Sequence, residues 1–183
     1  MLKRMLTRIS ALALAAGSLV TPSALHAQEA LLETNFADGS LGLWRALSVA
    51  SNEDWEASDR DGLTFAESNG FGADEASDDW LVSPAIDFDL STGEVLTFDS
   101  IRGFSGPDIE VLVSTDYAGG SDPSTATWEA QSATLSGGDF EQAASGDIDL
   151  SGVEGTGYIA FRYKADGTNA GEAALWRVTN IKL

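Results

Sequence analysis

Paired carboxylates are the residues of this sequence whose spacing could support catalysis. Asp87 and Asp89 lie two positions apart, as do Asp147 and Asp149, so each pair would share one face of a β-strand. Glycoside hydrolysis requires two carboxylates at a set separation. However, the chain has 29 acidic residues, so pairs at this spacing are expected by chance. No acidic motif of a sandwich hydrolase accompanies them. We therefore expect no enzyme, and we keep a carboxylate-based carbohydrate-active enzyme as the alternative.

Other catalytic chemistries are excluded by composition. The chain contains no cysteine and one histidine, His26, which lies in the leader described below. A cysteine nucleophile, a Cys-ligated zinc site and a Ser-His-Asp triad therefore cannot form in the mature chain.

The segment Asp59-Arg60-Asp61-Gly62 contains part of an EF-hand calcium loop. With Asp61 and Gly62 at loop positions five and six, position one is Ala57 and position twelve is Ser68. Both of these positions require an acid, so the EF-hand interpretation fails. We expect a solvated turn here.

Two aromatic residues lie in glycine-rich loops, where they could contact a ligand. Phe71 follows Asn69-Gly70, and Phe104 lies within Gly103–Gly106. Rings presented by such loops can bind a sugar ring or a groove in a protein. Alternatively, each ring folds back and anchors its own loop, with the glycines supplying backbone freedom. We take Phe71 and Phe104 as the candidate ligand-binding residues.

The elements that must position these residues are short strands. Alternation is clearest in Ile109–Val113 and in Tyr158–Tyr163, where Ile159, Phe161 and Tyr163 share one face. Strand-like runs are separated by turn residues, and no helical periodicity is sustained, which predicts an all-β antiparallel sandwich. The predicted strands are Leu31–Phe36, Leu43–Val49, Trp80–Val82, Val95–Ile101, Ile109–Ser114, Trp128–Leu135, Tyr158–Tyr163 and Leu175–Leu183. We expect Trp44, Trp80, Trp128 and Trp176 to be core residues.

The first 27 residues have the layout of a secretory signal peptide. Lys3, Arg4 and Arg8 precede an apolar run over 9–20, Pro22 breaks it, and Ala27 offers a small residue for cleavage. The apolar run is too short to span a bilayer. We predict export, with a mature domain over residues 28–183 that is secreted or periplasmic and has no membrane span.

Charge limits the partners of the mature chain. The leader holds three of the ten basic residues, so 29 acidic residues face seven basic ones, a net charge of −22. Such a surface repels phosphate backbones, so we expect no nucleic-acid partner. It attracts divalent cations, and it also suits a saline habitat where counterions screen the repulsion. Both explanations remain open.

The order of several short motifs is similar to that of a known bacterial family. These motifs are Asn35-Phe36, Gly42-Leu43-Trp44, Asp79–Pro84, Glu110–Tyr117, Thr127-Trp128, Ile148–Leu150, Ile159–Tyr163, Trp176 and Asn180-Ile181. Together they resemble the choice-of-anchor J domain, which is related to the cleaved adhesin domain of gingipains and more distantly to MAM domains. The resemblance covers nearly all of residues 31–183. It implies a jelly-roll β-sandwich in a secreted, non-catalytic protein.

The resemblance also implies a calcium ion. Related adhesin modules often hold calcium where the first and last strands meet the loop before the second tryptophan. The matching positions here are Asp38, Asn52, Asp54 and Asn180. Calcium takes six to eight oxygen ligands, which Asp and Asn on turns supply. The alternative is ordinary turn chemistry, in which these side chains cap their own backbone.

We therefore expect an exported, monomeric, single-domain binding or adhesion module for an extracellular carbohydrate or protein, stabilised by calcium. The second alternative, beside the enzyme, is a structural protein of the envelope or matrix without a small ligand.

Overall fold

Strands make up nearly all of the regular structure. The computed structural model describes residues 30–183, so the signal-peptide prediction for residues 1–27 lies outside the described residues. The strands are β1 (Glu33–Thr34), β2 (Arg45–Ala50), β3 (Glu56–Arg60), β4 (Leu63–Asn69), β5 (Asp78–Val82), β6 (Ile86–Asp87), β7 (Val95–Gly103), β8 (Glu110–Ser114), β9 (Glu129–Gln131), β10 (Gln142–Ala144), β11 (Ile148–Asp149), β12 (Thr156–Lys164) and β13 (Leu175–Lys182). Two 3-10 helices cover Phe88–Leu90 and Pro123–Thr125.

Two antiparallel sheets form the molecule. The first has the order β10-β7-β13-β4-β3, with β1 beside β13 and β11 beside β7. The second has the order β2-β5-β12-β8-β9, with β6 beside β12. The prediction of an all-β antiparallel sandwich is confirmed, and two sheets of this kind are compatible with the predicted jelly roll. In residues 30–183, no helix is long and apolar enough to cross a membrane.

Alternating side chains of the central strands fill the space between the sheets. Ile159, Phe161 and Tyr163 of β12 are at most 1% exposed and belong to the main core, as predicted. The ring of Phe161 lies edge-on to that of Phe98, with centroids 4.9 Å apart, and 6.0 Å from Trp44. The period of two therefore identified the inner face of β12 correctly.

A second aromatic cluster covers the outer face of the second sheet. The chain between β8 and β9 brings Tyr117 and Trp128 onto this face, where Trp128 lies 5.3 Å from Trp80 and 5.4 Å from Tyr117 between ring centroids. Of the four tryptophans predicted as core, Trp44 and Trp176 lie in the main core. The other two belong to this separate cluster, in which Trp128 is only partly buried.

The hairpin of β3 and β4 contains the segment that we predicted as a turn. Arg60 pairs with Leu63, so Asp61 and Gly62 form a two-residue loop, and their φ values are 54° and 83°. Positive φ at both positions is the geometry of a type I′ turn, which Asp-Gly favours. The solvated-turn prediction is confirmed, but the two flanking strands were not predicted.

Candidate binding site

Three of the eight phenylalanines are exposed, and they are the starting point for a site. Phe71, Phe104 and Phe140 are 60%, 65% and 45% exposed. The other five are at most 2% exposed, namely Phe36, Phe65, Phe88, Phe98 and Phe161. Apolar rings left in water at one place on a folded protein mark a contact surface.

The register of the first sheet brings the two predicted aromatic residues together. Phe71 follows β4 and Phe104 follows β7, and the last residues of these strands, Asn69 and Gly103, both pair with Leu175 of β13. The two rings therefore lie at the same end of the sandwich. They line one cavity of about 310 Å³, whose walls consist of Asn69, Phe71, Phe104, Ser105, Ala170, Gly171 and Ala173. We call this cavity the aromatic pocket.

Phe140 extends the aromatic surface beside the pocket. Its ring lies edge-on to Phe104, with centroids 5.4 Å apart, and its N–H donates to the carbonyl of Arg102 at 2.9 Å. The ring packs over Gly103, where a β-carbon would lie 2.3 Å from it. Phe140 was not among the predicted residues, although Gly137-Gly138 just before it repeats the glycine-aromatic pattern of the other two loops.

The Phe71 loop is held by its backbone. The Asn69 side chain accepts a hydrogen bond from the Phe71 N–H at 3.1 Å, and the Gly72 N–H donates to the carbonyl of Thr168 at 2.9 Å. An Asx turn of this kind fixes local backbone geometry without any contribution from the following side chain. The Phe71 ring is therefore free to face outward, as its exposure shows.

The third wall of the pocket is a loop closed on itself. Oε2 of Glu172 accepts hydrogen bonds from the N–H of Asn169 at 3.1 Å and from its side-chain amide at 2.9 Å. These bonds favour the carboxylate and hold the pKa of Glu172 below its usual range. The Glu172 carboxylate is thus engaged in hydrogen bonds within its own loop. No residue of the pocket wall carries a charged side chain.

The first two calcium candidates are Asp38, which follows β1, and Asn180, near the end of β13. Oδ1 of Asp38 accepts from the Ser40 N–H at 3.0 Å. Asn180 has a φ of 51° and donates through its side-chain amide to Oδ2 of Asp99 at 2.7 Å.

The other two candidates precede β3. Asn52 and Asp74 exchange reciprocal hydrogen bonds from N–H to side-chain oxygen, at 2.9 and 3.2 Å. Oδ1 of Asp54 accepts from the Trp55 N–H at 2.8 Å, and partial desolvation raises the pKa of Asp54.

These two pairs of calcium candidates are separated along the first sheet. The pairing with β4 ends at Glu56 opposite Glu67 in β3 and at Val178 opposite Ala66 in β13. Extended by two residues, it puts Asp54 at the level of Asn69 and Asn180 at the level of Thr64. Five residues of strand span about 16 Å, whereas calcium binds its ligands at roughly 2.3–2.6 Å. One ion therefore contacts at most one pair. Within residues 30–183, no group of three or more His, Asp or Glu side chains could hold a metal ion. Calcium binding stays a prediction.

Three of the four paired carboxylates of the enzyme alternative accept hydrogen bonds in turns. Oδ1 of Asp87 accepts from the Asp89 N–H at 3.1 Å, and Oδ1 of Asp89 accepts from the Gly155 N–H at 2.9 Å. Asp149 accepts from the N–H and the hydroxyl of Ser151, which lowers its pKa. A depressed pKa does not suit a general acid, which has to hold its proton near neutral pH.

A larger cavity of about 470 Å³ lies beside β8. Its walls include Asp116, Glu129 and Glu154 but no aromatic ring. Oδ1 of Asp116 accepts from the Ser114 hydroxyl and the Thr127 N–H, both at 2.9 Å, and these bonds lower the pKa of Asp116. The carboxylate is thus engaged in the local turn. The aromatic pocket is the better candidate for a binding site.

Solved structures with this fold include two cleaved adhesin domains of Lys-gingipain. The K3 cleaved adhesin domain of Lys-gingipain from Porphyromonas gingivalis gives a TM-score of 0.57 at 15% identity, over 84% of this chain and 98% of that domain. The K1 domain gives 0.50 at 18% identity, over 82% and 95%. The chain shares their β-sandwich fold. A CBM22-1 xylan-binding domain from Paenibacillus barcinonensis gives 0.49 at 17% identity, over 87% and 96%.

Sequence comparison adds no family. No family model matches the chain, and no curated protein matches it. The solved structures confirm the resemblance to cleaved adhesin domains at the level of fold. The assignment to choice-of-anchor J domains stays a prediction.

Proposed function

We propose that this chain is an exported, non-catalytic binding module that holds a neutral extracellular carbohydrate against Phe71 and Phe104. The convergence of the two exposed rings on one uncharged cavity carries the proposal. Phe140 enlarges the aromatic surface on the Phe104 side.

The chemistry of the pocket fits a sugar. Ligand sites combine apolar walls with a few polar groups that fix orientation, and here Asn69 and Ser105 provide the polar groups beside the two rings. A pyranose ring offers an apolar face of C–H groups and a rim of hydroxyls, which match these two kinds of wall. The net charge of the mature chain disfavours acidic polysaccharides by repulsion. A neutral glycan is therefore the preferred ligand.

The fold and the leader support a role outside the cytoplasm. The solved structures of the same fold named above include adhesin domains, and the leader over residues 1–27 has the layout of an export signal. Because a fold hosts many functions, the pocket and not the fold decides the ligand. The carboxylate-based enzyme is less favoured, since Asp87, Asp89 and Asp149 accept hydrogen bonds in turns.

The proposal is tested by calorimetric titration of the mature protein with xylohexaose, cellohexaose and an oligogalacturonate. We expect one of the neutral glycans to bind and the acidic one not to bind. Phe71→Ala and Phe104→Ala should each weaken binding at least tenfold, because exposed aromatic anchors carry most of the energy of such contacts.

The matched control is Leu43→Ala. The Leu43 side chain is also apolar and is 78% exposed, but it does not line the aromatic pocket. This substitution should leave the affinity unchanged. A failure of every neutral glycan to bind would overturn the carbohydrate proposal and favour a protein groove or a structural role. So would binding that neither phenylalanine substitution weakens.

A further inference from the structure

The Tyr163 side chain reaches across the core from the second sheet to the first. Its hydroxyl links the backbone of two loops beside the pocket. Tyr163 lies on β12 of the second sheet and is 1% exposed. Its hydroxyl accepts from the N–H of Gly70 at 2.9 Å and donates to the carbonyl of Ala174 at 2.8 Å. Gly70 follows β4 and Ala174 precedes β13, both in the first sheet. Burial raises the pKa of Tyr163 to about 12, so the hydroxyl keeps the proton that it donates.

The Phe71 loop is fitted closely against this hydroxyl. A β-carbon on Gly70 would lie 3.0 Å from the Tyr163 oxygen and 2.9 Å from the hydroxyl oxygen of Ser77. Glycine is therefore the residue that allows this close approach. Because Gly70 is bonded directly to Phe71, the Tyr163 hydroxyl fixes the backbone from which the Phe71 ring projects.

The Phe104 loop rests on the other partner of Tyr163. A β-carbon on Gly106 would lie 2.3 Å from the backbone nitrogen of Ala174. The turn that presents Phe104 thus packs against the peptide between Ala173 and Ala174, next to the Ala174 carbonyl that accepts from Tyr163. The Tyr163 hydroxyl therefore contacts the supports of both phenylalanine loops, Gly70 directly and the Phe104 loop through Ala174.

We propose that Tyr163 is the positioning residue of the aromatic pocket: its hydroxyl sets the separation of Phe71 and Phe104, and so the affinity for ligand, without touching the ligand. This inference rests on the proposed function. Groups held in advance in the binding geometry do not have to be ordered when the ligand arrives, which raises affinity. Removing the hydroxyl would leave the ring in the core and break the link between Gly70 and Ala174, while the Asn69 and Gly72 hydrogen bonds of the Phe71 loop remain.

The test is Tyr163→Phe, which deletes one oxygen atom. The matched control is Tyr117→Phe, since the Tyr117 hydroxyl also donates to a loop carbonyl, that of Gly120, but lies in the cluster on the outer face of the second sheet. Affinity for xylohexaose and cellohexaose is measured well below the melting temperature of each variant, so that the folded fraction stays constant. We expect Tyr163→Phe to weaken binding of the glycan that binds about tenfold, and Tyr117→Phe to leave it unchanged.

Amide hydrogen exchange gives a second readout that needs no ligand. In the unaltered protein the Gly70 N–H should be strongly protected. In Tyr163→Phe, protection should fall at Gly70 and in its neighbours over 70–74 and 172–174 only. Equal losses of affinity in the two variants would reduce Tyr163 to a general stabiliser, and rapid exchange of Gly70 in the unaltered protein would refute the bridge. If neither glycan binds the unaltered protein, the proposed function fails, while the exchange data still decide whether Tyr163 positions the loops.

Discussion

The hydroxyl of Ser48 donates a 2.6 Å hydrogen bond to Oδ1 of Asp79, a residue with no exposed surface. Burial is the main cause that raises the pKa of Asp79 to about 7, and the neighbouring charges of Asp54 and Asp78 add to it. The Ser48 hydrogen bond acts in the opposite direction. Arg162, on the neighbouring strand β12, is paired with Asp78 at 2.6 Å. Asp79 is thus a buried carboxyl group without a counter-ion of its own.

Asp79 predicts a stability that falls as pH rises from about 4 to 7. Between these values the folded chain keeps the Asp79 proton that the unfolded chain has lost, so the slope of unfolding free energy against pH is negative. Each pKa unit corresponds to about 1.4 kcal/mol, so the loss amounts to a few kcal/mol and is complete above pH 7. Asp79→Asn should therefore be more stable than the unaltered protein at pH 8, with a gain less than half as large at pH 5. Urea unfolding at both pH values measures it.

Asp59→Asn is the control for this prediction. Asp59 is an exposed residue of β3, so Asp59→Asn removes one surface carboxylate and controls for the change in net charge. A gain of Asp79→Asn that is the same at pH 5 and pH 8 would contradict a raised pKa.

Calcium binding predicts a saturable rise in melting temperature. A cation held only by the folded state stabilises by about 2.7 kcal/mol at a free concentration a hundredfold above its dissociation constant. Millimolar calcium, at high sodium chloride to screen the surface charge, should raise the melting temperature more than magnesium does. Asp54→Ala should remove most of the rise, and Asp59→Ala should not. If calcium and magnesium raised the melting temperature equally, the acidic residues would form only a solvated surface and no specific calcium site.

The contact between Gly106 and Ala174 predicts that a methyl group is not tolerated there. A β-carbon at Gly106 would lie 2.3 Å from backbone, which cannot rotate away as a side chain can. Gly106→Ala should lower the unfolding free energy by about 1–3 kcal/mol in a denaturant titration. Gly137→Ala, in the loop before Phe140, has no atom within 4 Å of the new methyl and serves as the control. Similar losses in both variants would argue against the close approach.

Substitution by alanine should have different effects on stability and on ligand binding at Phe161 and at Phe71. Phe161 has no exposed surface, so Phe161→Ala should cost about 3–5 kcal/mol of unfolding free energy. Phe71 is 60% exposed, so Phe71→Ala should change stability by less than about 0.5 kcal/mol while weakening ligand binding. Urea unfolding monitored by far-UV circular dichroism compares them. A large loss of stability in Phe71→Ala would show that its ring anchors the loop instead.

The leader predicts a shortened product. Mass spectrometry of the exported fraction from a bacterial host should show a chain that begins near Gln28, with about 27 residues removed. An intact N-terminus in that fraction would contradict export through this leader.

The strands that the sequence revealed are those with large alternating side chains. In β12, Ile159, Phe161 and Tyr163 make the period of two visible, and they are core residues. The inner face of β4 presents small residues, with Ala66 and Ser68 at most 1% exposed, so its burial leaves little hydrophobic signal. The Asp-Gly pair at 61–62 was the available indication of a hairpin around it.

The members of the aromatic pocket were easier to predict than their arrangement. Phe71 and Phe104 were identified from their flanking glycines, which local sequence records. Their meeting depends on the alignment of β4 and β7 on either side of β13, a pairing between segments far apart in the chain. The same long-range pairing separates Asp54 from Asn180, which the resemblance had placed at one ion. Neither relationship can be deduced from the spacing of these residues along the chain.

The pairing of β1 with β13 decides how the molecule would sit on a surface. Glu33 lies opposite Lys182, and Leu31 hydrogen-bonds to Leu183, so the two ends of the described chain emerge side by side. The aromatic pocket lies beside Leu175, at the other end of β13, about 25 Å away for eight residues of strand. A tether, tag or fused domain joined at either end would therefore leave from the pole opposite the pocket. Immobilised through either end, the module would present its phenylalanines to the solution.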